Sequence, residues 1–374
     1  MKKLRIGKTL FFYIFTEMML YCFVSFLFFF VIFFVNNPLV EIQGNLIKNV
    51  SIALIMKFFL YSLPIVVANA APYSAFVGAL MCLGRFASDY EFIALNSLGL
   101  SHTRILLPTM AVALTFSLLN FFTNDILIPF TAPKLNDTYL EMMSENPAMQ
   151  LQSHSIRQAN QTIIAAGEVT KEGVSDIVII DSSEPHKTTF LSAKTAKLAK
   201  TNNPEILLSL QPIKPRLFIL DTNTKYDFDY AYAENMTYNF LASEQQNFGL
   251  FSLGPGQLSF SDLRKRIKEI QSESITNTSY LNWYNLELHK KFSIPFGALF
   301  FIFLAYTISI NLKLYNQGLG FVVGLFISVA YWAILMMGQQ LSVENKLDST
   351  IGAWIANAVL LVVALILVWK KKRA

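Results

Sequence analysis

The chain has 374 residues, of which 53% are hydrophobic and 15% charged, and its formal net charge is +5. A soluble protein of this size carries about 25% charged residues, so a mean hydropathy of +0.43 argues against a wholly water-soluble fold. The surplus positive charge sits in short segments flanking apolar runs, a pattern of membrane topology and not of nucleic-acid binding.

Taken in order, residues 9–35 are the first to supply the ~20 apolar residues that a membrane span needs. The basic start MKKLRIGK resembles a signal peptide, but the apolar run after it is too long and no small-residue cleavage site follows. It reads as an uncleaved first span. Glu17 lies roughly 12 Å inside it by helical rise. There it either faces a cavity or a neighbouring helix, or snorkels to the interface. Residues 51–83 form the second span, with Pro64 and Pro72 placed to kink it, and 104–129 form the third. Residues 292–312, 319–341 and 351–369 supply the fourth to sixth. Cys22 and Cys82 both lie in apolar runs without partner spacing, so they read as small buried hydrophobes, not as a disulfide or metal pair.

Six spans put both termini on one side. The N-terminal segment, the loop after the second span, the fourth-to-fifth loop and the C-terminal tail carry eleven Lys and Arg between them. The short loops opposite carry Lys48 and Lys346. The positive-inside rule therefore makes both termini cytoplasmic and exports the inserted segment 131–291.

Between the second and third spans lies a polar island, MCLGRFASDYEFIALNSLGLSHTR, at 81–104. Ser88 followed three residues later by Glu91 reads as a capping box. Gly99 supplies a left-handed stop. The spacing predicts a cytoplasmic helix over 89–98, too short to cross a bilayer, with Phe92, Leu95 and Leu98 on one strip and Phe86, Tyr90 and Ile93 on another. Glu91 serves either as the capping residue or as part of a plug for a cytoplasmic partner.

The exported segment is β-rich. Short β-branched or aromatic runs at 162–169, 175–182, 188–194, 205–211, 216–222 and 225–232 are separated by Gly, Pro, Asn and Asp. Such spacing predicts an all-β sandwich or jelly roll. Residues 131–152 extend the third span as a polar helix. Ser261 is placed to cap an amphipathic helix with Leu263, Ile267 and Ile270 on one face. In 225–232, Tyr226, Phe228, Tyr230 and Tyr232 alternate with small or acidic residues. That aromatic face is either the sandwich core or the lining of a groove for an acyl chain.

No P-loop, H-E-x-x-H or G-x-S-x-G motif is present. The four histidines, His102, His154, His186 and His289, are scattered, so no catalytic residue, metal site or cofactor of the chain's own is expected. Lys48, Lys57, Lys290 and Lys291 fall at the outer membrane boundary. They either converge on an anionic head group or act as ordinary interfacial anchors.

Several stretches together carry a family resemblance. The run L-x-x-L-G-R-F-x-x-D-x-E-x-x-A-L-x-x-L-G-L-S at 80–101, ENPAM at 145–149, LSFSDLRKRIKEI with ELHKKFSIP, GLG at 318–320 and GAWIANAVL at 352–360 resemble, in that order, the LptF/LptG (YjgP/YjgQ) permeases of lipopolysaccharide export. The resemblance implies an α-helical membrane protein of the bacterial inner membrane with six transmembrane helices and an inserted periplasmic jelly-roll domain. Its parts would be spans one to three at 1–130, the β-domain at 131–291 and spans four to six at 292–374. The implied role is the membrane half of an ABC exporter that extracts lipopolysaccharide. Its partners would be an LptB-like ATPase using ATP and Mg, a second LptF- or LptG-like subunit and an LptC/LptA-like periplasmic bridge. Carried over by position, 89–98 is the coupling helix, with Asp89, Glu91, Leu95, Leu98 and Gly99 at the ATPase. Basic residues expected near the outer end of the first span are sparse here, since 35–44 has none and Lys48 is the nearest. The rival readings are a membrane-anchored ligand-binding or sensing module without an ATPase, and a lipid-modifying membrane enzyme. No span carries a pair of acid and base to support the enzyme.

Overall fold

The computed structural model describes residues 2–39, 50–99, 103–145, 154–159, 162–170, 173–182, 187–199, 206–221, 227–232, 236–241, 254–272, 278–312 and 317–373. They build nine helices: α1 (Lys2–Phe34), α2 (Ile52–Ser88), α3 (Glu91–Ser97), α4 (Thr103–Phe122), α5 (Ile128–Glu145), α6 (Phe260–Ser272), α7 (Thr278–Leu312), α8 (Gln317–Val343) and α9 (Ser349–Arg373). Among the described residues six helical stretches are long and apolar enough to cross a membrane: Gly7–Phe34, Ile52–Ser88, Arg104–Met142, Thr278–Asn311, Gly318–Val343 and Ser349–Lys370. Pro64, Pro72 and Pro295 lie inside these helices without ending them. The chain divides into two compact units, one made of 1–37, 62–131 and 254–374, the other of 38–61 and 132–253.

In the first unit α7 is the helix most enclosed by protein, packed against α4, α6, α8 and α9. Lipid tails are as apolar as leucine, so close packing and interhelical hydrogen bonds must hold such a bundle together. Both devices are present. A Cβ added at Gly78 of α2 would lie 2.4 Å from Cys22 Cα of α1, and one at Gly320 of α8 would lie 2.8 Å from the Leu80 carbonyl oxygen. Segment 77–80 is thus pressed by backbone from two sides. Phe76 and Phe301 stack at 4.7 Å between α2 and α7. The Asn357 amide of α9 donates to the Ser293 carbonyl at 2.7 Å and accepts from the Tyr331 hydroxyl at 3.1 Å, joining α7, α8 and α9. Cys22 and Cys82 are fully buried, and the Cys22 thiol donates to the Ala75 carbonyl. Asp348, just outside α9, accepts from the Thr350 N–H at 2.8 Å, and that bond holds its carboxyl below its ordinary range.

Two details differ from expectation. α7 begins at Thr278, well before 292, so the return to the membrane is one continuous helix. α6 is capped by Ser259, not Ser261: the Ser259 Oγ accepts from the Asp262 N–H at 3.2 Å and donates to its carboxylate at 2.6 Å. Leu263, Ile267 and Ile270 are buried as the amphipathic spacing requires.

The second unit holds an eight-stranded antiparallel sheet: β1 (Ser155–Ala159), β2 (Thr162–Ala166), β3 (Gly173–Asp181), β4 (Lys187–Ala199), β5 (Ile206–Ile213), β6 (Arg216–Asp221), β7 (Asp227–Tyr232) and β8 (Tyr238–Leu241). The six runs read from the sequence become β2 to β7. β1 and β8 are additional. The described strands are all hydrogen-bonded into one sheet. β4 pairs with β3 along one edge and with β5 and then β6 along the other. β5 and β6 keep a single register against β4, with Ile213 opposite Thr195 and Arg216 opposite Ser192. They are one long strand broken at Lys214 and Pro215, since proline has no N–H for the ladder. At the same level Asp176 in β3 and Lys214 both take left-handed backbone, at φ 45° and 51°. Here the burial pattern slips by one residue. Val174 and Ile177 are both buried, as are Ala193 and Ala196, where strict alternation would bury residues an even number apart. A crease therefore runs across β3, β4 and the β5–β6 junction.

Candidate functional site

One cluster of charged residues in the first unit gathers where α1, α2 and α3 meet. Arg85, in the last turn of α2, is the hub. Its Nη2 lies 3.2 Å from Glu17 Oε1, 3.7 Å from Glu91 Oε1 and 3.2 Å from the Tyr13 hydroxyl, to which it donates. Its Nε lies 4.0 Å from Asp89 Oδ2, close enough for attraction but too far for a hydrogen bond. The Tyr13 hydroxyl donates in turn to both Glu91 oxygens, at 3.1 and 3.3 Å. The Phe86 and Tyr21 rings flank the guanidinium at 5.2 and 6.0 Å. Glu17 thus pairs with a neighbouring helix, the first of its two readings. Each partly exposed ion pair is worth only about 0.2–1 kcal/mol. The hub's larger consequence is positional, because Arg85 together with the Tyr13–Glu91 bond ties α3 to both α1 and α2.

α3 itself runs from Glu91 to Ser97, shorter than the expected 89–98. The capping box does not form. Ser88 is the last residue of α2, whose ladder continues into the turn through the Asp89 N–H bonded to the Arg85 carbonyl. The chain reverses at Asp89 and Tyr90, and Tyr90 sits at φ 57°. A left-handed backbone at a bulky residue costs roughly 1–2 kcal/mol. Gly99 ends the helix at φ 71°, where glycine is free of that cost.

The two sides of α3 differ sharply. Phe92 and Leu95 pack on the bundle core, and Phe86 meets Phe92 edge-on at 6.2 Å. Tyr90, Ile93 and Leu98 are 63%, 60% and 77% exposed, with Ala94 and Ser97 exposed between them. Leu98 therefore leaves the strip it was expected to share with Phe92 and Leu95. Asp89 and Gly99 are exposed at the two ends, and Glu91 is turned inward towards Tyr13 and Arg85.

The four lysines part company. Lys48 lies outside the described residues. Lys57 is exposed on α2, in the second unit. Lys290 pairs with Glu287 at 2.7 Å. Lys291 is 2% exposed and donates to the carbonyls of Asn124 at 2.7 Å and Gly256 at 3.2 Å, so it is neither an interfacial anchor nor open to a head group. Asn124 belongs to a π-helical turn, Thr123–Leu127, between α4 and α5. Asp125 of that turn accepts from the Phe260 N–H at 2.7 Å. Lys291 thus fastens α7 to the π turn and to the short 3-10 helix Pro255–Gln257. Lys291→Met removes both of these hydrogen bonds, and those to a charged group are worth about 1.5–3 kcal/mol each. The purified variant should unfold at a lower temperature in mild detergent, and an unchanged transition would refute this role.

On β7, Tyr226 lies outside the described residues, and of Phe228 only the backbone register, opposite Leu220, is defined. Tyr230 and Tyr232 are 54% and 56% exposed, so neither is in the sheet's core. Tyr230 contacts Phe218 of β6 at 5.0 Å on that same open face. The core instead comprises Ile164, Val174, Ile177, Ile179, Leu191 and Leu210 with their small neighbours.

With this geometry in hand, two comparisons with known proteins bear on it. A family model described as "Lipopolysaccharide export system permease LptF/LptG" matches residues 12–370. A relative, the lipopolysaccharide export system permease protein LptG of Haemophilus influenzae, is 21% identical over 308 residues, which is 80% of this chain and 81% of that protein.

Proposed function

This chain belongs to the LptF/LptG family of lipopolysaccharide export system permeases, and from that premise we propose that it is the transmembrane subunit of an ABC-type lipopolysaccharide exporter. Within that reading it sits in the bacterial inner membrane as a multi-pass protein with both termini cytoplasmic. Its creased sheet is a periplasmic, jelly-roll-like domain. It pairs with a second LptF- or LptG-like subunit to enclose the lipid, and hands that lipid to an LptC/LptA-like bridge. A separate LptB-like ATPase binds ATP and Mg and supplies the energy.

The observation that carries this reading is α3. A seven-residue helix with Ile93 exposed on it and Tyr90 and Leu98 exposed at its two ends offers an apolar surface to a partner. Its entry residue is held in left-handed backbone, a conformation that glycine would adopt without strain. Strain kept at an exposed aromatic fits a docking role better than a purely structural one. The ATPase seated on α3 would move it, and Glu91, Tyr13 and Arg85 would pass that displacement to α1 and α2. Nucleotide state would thereby shift the population between open and closed cavities by a few kcal/mol.

Pull-down of the detergent-solubilised chain from its native membrane tests the assembly. Recovery of an ABC ATPase and a second six-span subunit is the expected result. Recovery of the chain alone, in mild detergent and with the β-unit intact, would overturn it in favour of a membrane-anchored binding module.

A further inference from the structure

The crease in the sheet opens as a groove of about 720 Å³ on the face away from the sheet's core. Its walls come from the strand register. One row crosses four strands as Val178, Ser192, Arg216 and Tyr232, which are partners in turn. The next row lies at the crease itself, where Asp176, Lys194 and Lys214 sit at the same level between the paired rows on either side. Lys194, Lys214 and Arg216 line the groove and are exposed, and Asp176 is the one acid among its described lining residues. None of the ion pairs made by the described residues engages them. Among the described residues the groove lining therefore carries a net two positive charges beside apolar surface from Val178, Ile213 and Tyr232, which are 36%, 40% and 56% exposed.

We propose that this crease binds a phosphate group carried by an anionic amphiphile. A guanidinium fork and two ammonium groups exceed what a single carboxylate takes up, but they match a phosphate monoester with three terminal oxygens and up to two negative charges. Val178, Ile213 and Tyr232 beside the cations suit the apolar part that adjoins such a head group. The proposal rests on the export reading and deepens it, placing a head-group contact on the sheet's outer face and not among its buried apolar side chains. It also gives the Lys214–Pro215 break a function, since an unbroken β5–β6 strand would have no bend there to gather the three cations.

The test uses the full chain in nonionic detergent with Val178→Cys labelled by an environment-sensitive fluorophore. The native cysteines are fully buried, which directs the label to the groove. Three probes are added separately: an acylated glucosamine disaccharide bisphosphate, the same lipid without its phosphates, and inorganic phosphate. The phosphorylated lipid should shift the signal at a concentration at least tenfold lower than either of the others. Its affinity should fall with added salt. Adding Lys194→Gln, Lys214→Gln and Arg216→Gln together should weaken it by a further tenfold or more, with circular dichroism confirming that the sheet is retained. Equal response to inorganic phosphate or to the dephosphorylated lipid overturns the proposal. If the phosphorylated lipid raises the chain's thermal stability but leaves the label silent, the groove is not its site and the export reading stands. If that lipid neither shifts the label nor alters stability, both fall.

Discussion

Glu91→Lys is expected to leave the chain inserted and folded while lowering stimulation of the proposed ATPase partner by more than about tenfold, a loss of roughly 1.4 kcal/mol in coupling. The argument is local. Glu91 lies 3.7 Å from Arg85 and accepts the single Tyr13 hydroxyl proton, shared between its two oxygens. Reversal removes that bond and sets two cations side by side, a repulsion on the order of 4 kcal/mol at the effective dielectric of a protein surface. A lysine side chain would relieve most of this by swinging into solvent, and α3 would be freed from α1 as it did so. The rest of the bundle would survive, because α3 contributes Phe92 and Leu95 at the edge of a core that is otherwise built by the spans. Glu91→Gln separates two roles. Its amide oxygen still accepts from Tyr13, so if the tether alone matters this variant keeps most of its stimulation. If the charge itself faces the ATPase, it loses as much as Glu91→Lys. Full stimulation by both variants in purified complexes would remove Glu91 from the coupling path.

The spans were legible because twenty apolar residues in a row admit few alternatives, and Gly99 was legible because few other residues accept its backbone without strain. What escaped was pairing across long sequence distances. Arg85 was counted only as a topological charge, yet it meets Glu17 and Tyr13, 68 and 72 residues earlier. Nothing local marks that meeting. The Ser88–Glu91 signature was real as a pattern and lost to context: α2 runs on through Ser88, and Glu91 has a stronger partner in Tyr13 than in a backbone N–H. At α6 the rule itself was sound but applied two residues late, since Ser259 and Asp262 carry the same spacing. In β7 the period of two was right, but period alone does not say which face is buried, and Tyr230 and Tyr232 lie on the open one. The crease had a visible trace in Lys214–Pro215. Its consequence, three strands bending at one level, needed the register.

Gly78→Ala should destabilise the chain, although a glycine-to-alanine change inside a helix ordinarily stabilises it by up to about 1 kcal/mol. The sign depends on which effect is larger. The new methyl carbon would stand 2.4 Å from Cys22 Cα, 2.6 Å from its nitrogen and 2.8 Å from the Tyr21 carbonyl oxygen. Carbon atoms rest at roughly 3.5–4.0 Å, and these neighbours are backbone atoms with no rotamer to escape into. α1 and α2 must separate by about 1 Å or more, which also loosens Ile14, Met18 and Phe29 in the core and alters the reach of Arg85 to Glu17. Overpacking of this kind costs about 1–3 kcal/mol, and more when the backbone itself must shift, so it outweighs the helix-propensity gain. Gly78→Leu should go further and prevent recovery of monodisperse protein. Gly7, on α1 with no heavy atom within 4 Å of an added Cβ, supplies the internal control. Gly7→Ala should be neutral or stabilising in the same thermal-unfolding measurement, and a common response of both alanine variants would mean that helix propensity, not the α1–α2 contact, governs position 78.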